Sequence, residues 1–186
     1  MRIVQLTMLT LLLATIAGAA EPKQLTKDGT FKFSPVFVDG GKAILYSQHV
    51  RPNLVAICRL DLKTGKSIVL DKLQNAHQFD PHMSRDGRFI CYGLSSGNPQ
   101  IYLSIRDLKK KTEATFQPSG SRSTIRSPKF TPDNKRIVFT ISAPGGQQIA
   151  SVDLQGKRFK KLTESQGTNC WPDVSPNGKQ ILFCSS

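Results

Sequence analysis

The sequence predicts an all-β fold, a chain of β-propeller blades that are each a four-stranded antiparallel sheet: three complete blades and a partial fourth, following a signal peptide. Three observations predict it. A turn-and-strand unit recurs four times at nearly constant spacing, an Asp-Leu landmark recurs with the same period, and no 3.6-residue periodicity interrupts the chain after residue 20.

Residues 1–20 open with Arg2, run through the apolar stretch Leu6–Ile16 and close on the small residues Ala17, Gly18, Ala19 and Ala20. This is the layout of a secretory signal, with cleavage expected after Ala19 or Ala20. The apolar run is too short for the roughly 20 residues of a membrane-spanning helix. The first cysteine, Cys58, lies far from the cleavage site, so no lipid anchor is expected. The expected destination is the periplasm or beyond, where disulfides are permitted.

The repeat unit appears as PVFVDGGKAILY from Pro35, PHMSRDGRFICY from Pro81, PKFTPDNKRIVF from Pro128 and PDVSPNGKQILF from Pro172, with starts 46, 47 and 44 residues apart. Each copy places a basic residue seven positions on, then an isoleucine and an aromatic, without gaps. The Ser-Pro-Asn-Gly core of the last copy is turn chemistry: proline presets φ, Asn bonds locally and Gly takes the left-handed position. Flanked by β-branched and aromatic runs, it reads as a hairpin tip.

The second landmark places Asp61, Asp107 and Asp153 at intervals of 46, each followed by Leu, with Leu70, Phe116 or Leu162 nine residues further. Recurrence in every unit suits a structural hydrogen-bonding role, since catalysis needs one special copy. Four short strands per unit give blades over 33–72, 79–118 and 126–163, and a partial blade over 169–186. A β-sandwich would not explain why the sequence itself repeats. LysGlnLeuThr at 23–26 matches LysLysLeuThr at 160–163, an offset of 137 that also carries Pro35 onto Pro172. Residues 23–26 are therefore expected to supply the last strand of the final blade, whose third strand is missing. A truncated reading frame, an open array completed by another chain and a small ring with a three-stranded last blade are all compatible with this pattern. Exposed blade edges would favour self-association.

The combination of Pro, a Ser-Pro-Asp-Gly-Lys-like turn, Ile, an aromatic and a later Asp-Leu resembles the WD-repeat-like unit of TolB-type propellers, over about residues 23–184. Val38-Asp39 and Asn134 depart from it in single turns. The resemblance implies a non-catalytic periplasmic scaffold of the cell envelope that binds protein or envelope partners, in the manner of the Tol transport system. Some pectin-degrading lyases built on similar repeats use a histidine-ligated metal, which makes a metal-dependent oligogalacturonate-type lyase, or its remnant, the alternative.

The formal net charge is +13. In a four-stranded blade the first-to-second and third-to-fourth turns lie on one face of the disc. That places Arg85, Arg88, Lys135 and Arg136 of the first kind together with Lys109, Lys110, Lys111, Lys157 and Arg158 of the second, a candidate binding face for acidic proteins or anionic envelope polymers. A solvated face that keeps the chain soluble accounts for the same residues. Nucleic acid is not expected, because no stacking aromatics interleave with the basic turns. His77, Asp80 and His82 are the candidate metal ligands, but their spacing is unlike a compact zinc motif, so no metal or cofactor is expected. No nucleophile elbow, catalytic carboxylate pair or phosphate loop occurs, so no catalytic residue is assigned. A three-residue loop at Pro176–Gly178 would pair 175 with 179 and set Cys170 opposite Cys184, compatible with either a disulfide or two reduced packing thiols. Cys58 and Cys91 read as buried apolar residues.

Overall fold

The computed structural model describes residues 21–70, 75–97, 100–117, 119, 123–143 and 145–186; the expected signal segment lies outside the described residues. Among the described residues, fourteen strands form three consecutive four-stranded blades and a two-stranded fourth. Blade 1 is β1 (Lys32–Val38), β2 (Ala43–Arg51), β3 (Leu54–Asp61) and β4 (Ser67–Val69); blade 2 is β5 (His77–Met83), β6 (Phe89–Ser95), β7 (Tyr102–Asp107) and β8 (Thr112–Phe116). Both run antiparallel in chain order. Blade 3 is β9 (Ile125–Phe130), β10 (Arg136–Ala143), β11 (Gly146–Asp153) and β12 (Lys160–Lys161), followed by the hairpin β13 (Gly167–Val174) and β14 (Ile181–Ser185).

Successive blades meet face to face, and the core lies in the seams. Between blades 1 and 2, Val38, Ala43, Leu45 and Ile57 pack on Ile90 and Tyr92. Between blades 2 and 3, Cys91, Leu103 and Ile105 pack on Ile125, Ile137, Phe139 and Val152. The central strands are rich in Ile, Val and Leu because both their faces are buried, so they read as continuous apolar runs rather than alternating ones. The seams are also stitched by backbone. Ile125 donates to the Ile101 carbonyl at 3.0 Å, and Gly146 and Gln147 of β11 run parallel to Gly167 and Thr168 of β13. That second approach requires glycine at 146, where a Cβ would stand 1.9 Å from the Gly167 carbonyl oxygen.

Every first strand carries a bulge at its proline. The pairing register shifts at 34–35, 80–81, 127–128 and 171–172, and the residue before each proline has positive φ: Ser34 52°, Asp80 53°, Ser127 51° and Trp171 54°. Proline inside a strand is confined to edges and bulges because it cannot donate to the ladder. The hairpin tips close as the turn chemistry dictates. In blade 2, Ser84 Oγ donates to Asp86 Oδ1 and accepts from the Phe89 N–H, while Gly87 takes φ 69°. Thr131–Asp133–Asn134 and Ser175–Asn177–Gly178 repeat the pattern. Blade 1, lacking a hydroxyl at Val38, instead makes a short 3-10 turn over Asp39–Gly41.

Two expectations need correction. Residues 23–26 form no strand and close no blade. The segment before β1 instead runs on from the β1–β2 ladder, where Phe31 O accepts the His49 N–H. Ile44, Tyr46, Cys58 and Leu60 form a buried cluster on the face of blade 1 opposite the seam. At the last hairpin Ser175 bonds to Gln180 rather than to 179. The bulge at Trp171–Pro172 then takes up the one-residue difference, so Cys170 still faces Cys184; both are free thiols.

Candidate functional site

The turns on the disc's basic face are built around aspartates. Asp61, Asp107 and Asp153 end β3, β7 and β11, and each accepts backbone N–H bonds from the turn that follows: Lys63 and Thr64, Lys109 and Lys110, Gln155 and Lys157. In blade 2, Arg88 from the first turn reaches across to Asp107 at 2.6 Å. That guanidinium, helped by the turn N–H groups, holds the Asp107 carboxyl down at about 2. In blade 3, Arg136 donates to Ser151 Oγ at 2.8 Å and to the Arg158 carbonyl at 2.9 Å. These cross-links show both kinds of turn at one end of the strands. They also remove two residues from the candidate set, since Arg88 and Arg136 are spent inside the blades.

The other candidates stand differently. Arg85, Lys109, Lys110, Lys111, Lys135 and Lys157 are exposed, and among the described residues none of their side-chain nitrogens has a hydrogen bond or ion pair. Arg158, also exposed, is 3.8 Å from Asp153. The acids of the same face are committed: Asp39 pairs with Arg59 at 2.7 Å, while Asp86 and Asp133 accept from Ser84 and Thr131, bonds that lower both carboxyl pKa values. These carboxylates stay exposed but are tied to local donors, while Arg85 and the exposed lysines of the same face carry no such partner among the described residues.

Two of the slots that indent this face flank Arg85. One, of about 500 Å³, lies between the first turns of blades 1 and 2, with Phe37 and Met83 as its apolar walls. The other, of about 260 Å³, is bounded by His82, Met83, Phe130, Pro132 and Pro176 from three blades. Arg85 and Met83 line both slots. The Arg85 backbone N–H is fixed to Asn134 Oδ1 of the next blade at 3.1 Å, so the residue forms the ridge between them. The slot residues carry no motif in the sequence; only the prolines at 132 and 176, aligned in the repeat, mark one wall.

The bulges surround a cavity of about 290 Å³ at the inner ends of the blades, lined by Ser34, Asp80, Ser127, Trp171 and the prolines that follow them. Asp80 is its tie. Buried, it accepts from Ser34 Oγ of blade 1 at 2.6 Å and from Arg126 Nε and the Ser127 N–H of blade 3 at 2.7 and 3.0 Å. Desolvation opposes its ionisation, but these donors prevail and its pKa is lowered. His77 Nδ1 accepts from Val55 N–H at 3.3 Å, and His82 Nδ1 from Phe130 N–H at 3.2 Å. His77, Asp80 and His82 therefore face different neighbours across the seams. No three groups of ligand type converge among the described residues, so the structure does not assemble the candidate metal set.

The family model for the TolB beta propeller domain matches residues 68–186. The chain belongs to that family. It is 32% identical to the Tol-Pal system protein TolB of Francisella tularensis subsp. mediasiatica over 82% of this chain and 45% of that protein. It is 33% identical to a TolB homolog of Chlorobium chlorochromatii over 57% of this chain and 23% of the relative. The chain thus spans less than half the length of each of these TolB relatives. Among solved structures, TolB from Acinetobacter baumannii superposes with a TM-score of 0.72 at 26% identity, covering 88% of this chain and 40% of that one. An oligogalacturonate lyase from Vibrio parahaemolyticus superposes at 0.63 with 14% identity, over 87% of this chain and 49% of that one, a likeness of fold alone. Among the described residues of this TolB-family chain, no helix is long and apolar enough to cross a membrane.

Proposed function

We propose that this TolB-family chain is a non-catalytic, exported scaffold of the cell envelope that binds an acidic protein partner across its turn face, in the manner of a Tol-Pal component. The observation that supports this reading is the arrangement of that face: unpaired cations project outward, the acids are consumed in turns, and Arg85 stands on the ridge between two apolar-walled slots. An acidic segment would be drawn by the field, pair with Arg85 and seat apolar side chains on either side. Complementary charge of this kind sets encounter rate and register more than total affinity.

Binding to the immobilised soluble domain of Pal from the same source tests the reading. The triple variant Lys109→Glu, Lys110→Glu, Lys111→Glu is expected to weaken capture by at least about tenfold, and Arg85→Glu by a similar factor. Capture by the unaltered protein should fall as salt rises, because exposed charges are screened. Equal capture by all three proteins would remove the turn face from the function.

A further inference from the structure

The four cysteines fall into two unlike pairs. Cys58 and Cys91 are buried in blades 1 and 2, and burial pushes the Cys58 thiol up to about 11 and that of Cys91 well above its ordinary value. Neither is poised for thiol chemistry, which proceeds through the thiolate. Cys170 and Cys184 occupy directly opposed positions of β13 and β14. Cys184 is exposed at the surface, while Cys170 is buried.

The ladder defines their separation. Ser186 N–H donates to the Thr168 carbonyl at 3.0 Å, so 168 and 186 are a hydrogen-bonded pair, and two residues inward along both strands the same holds for 170 and 184. Opposed Cα atoms in such pairs are about 5.5 Å apart, inside the roughly 4.4–6.8 Å that a disulfide spans. The Cβ atoms of a hydrogen-bonded pair lie further apart than those of the alternate pairs, so closure must draw the strands together. The bulge at Trp171–Pro172, immediately beside Cys170, is where β13 can give.

We propose that Cys170 and Cys184 are a reversible dithiol–disulfide site that clasps the fourth-blade hairpin. The oxidant is a small disulfide of the glutathione class. The exposed Cys184 thiolate attacks one of its sulfurs, forming a mixed disulfide and expelling one glutathione thiolate. The Cys170 thiolate then attacks the Cys184 sulfur, forming the protein disulfide and expelling the second. Two protein thiols lose two protons and two electrons, and the oxidised glutathione is reduced to two thiols. Because closure strains the hairpin, the bond reopens readily, as strained and exposed disulfides do.

The purified protein is equilibrated with oxidised glutathione, quenched with an alkylating reagent and digested with trypsin. Cleavage after Lys161 and Lys179 places the two cysteines on separate peptides, 162–179 and 180–186. The expected product is that peptide pair joined, in a protein two hydrogens lighter, with Cys58 and Cys91 still alkylated after denaturation. Excess reduced glutathione should return both peptides to the thiol form, and Cys184→Ser should leave Cys170 a free thiol. A stable mixed disulfide confined to Cys184, unlinked peptides at every glutathione ratio, or a cross-link that reduced glutathione does not open would each overturn the proposal.

Discussion

His82 is partly buried at the seam of blades 2 and 3, and its Nδ1 accepts the Phe130 N–H only while that nitrogen carries no proton. Burial, reinforced by the nearby positive charge of Lys129, pushes its pKa down to about 4 from 6.5. An unfolded chain takes up this proton near pH 6.5, whereas the folded chain refuses it until about pH 4. Protonation therefore favours unfolding throughout that window, and stability falls as pH falls from 6.5 to 4, on the order of 3 kcal/mol from this group. His82→Gln keeps an acceptor for Phe130 but cannot titrate, so urea unfolding of the two proteins should converge as the pH is lowered through the window. Parallel curves would show that His82 does not carry the effect. In the sequence His77, Asp80 and His82 read as a cluster because spacing reports neighbours along the chain. It does not report which backbone donors across the seams consume their lone pairs.

At the scale of elements, the hairpin tips were legible because their chemistry is local: a hydroxyl, an Asx acceptor and a left-handed residue lie within five positions. The bulges were legible only in part. Proline at the head of every unit was plain, but its place inside a strand, with positive φ before it, depends on blades converging on the axial cavity. The same convergence explains Gly93 in the middle of β6, which no periodicity marks. There a Cβ would stand 2.9 Å from Ile101 Cγ2 and 3.2 Å from the Ile125 carbonyl oxygen, the backbone that joins blades 2 and 3. The Ile101 methyl would have to turn aside, and the Ile125 carbonyl cannot yield without parting the seam. Gly93→Ala is therefore expected to destabilise the protein by about 1–3 kcal/mol, the range for overpacked cores. An unchanged denaturation midpoint would mean that the seam is looser than this packing.

For the molecule as a whole, stability accumulates seam by seam, since the main strand contacts between blades, among the described residues, join neighbours in the chain. The period of the repeat made the number and order of blades readable. The charge of the turn face followed from topology, although the loss of Arg88 and Arg136 to internal bonds did not. The likeness of residues 23–26 to 160–163 did not make them a strand. Seam counting also predicts a gradient of local opening. Strands β6, β7, β10 and β11 lie between covered faces, with Ile90, Leu103, Ile137 and Ile149 at 0% exposure. In contrast, β14 is bonded to β13 alone and leaves Leu182 76% exposed. With all thiols reduced, hydrogen-bonded amides of β14 should exchange fastest, those of β13 at intermediate rates and those of the central strands only on global unfolding. If β14 exchanges as slowly as β10, the hairpin is part of the same cooperative unit, and stability is not apportioned by seams.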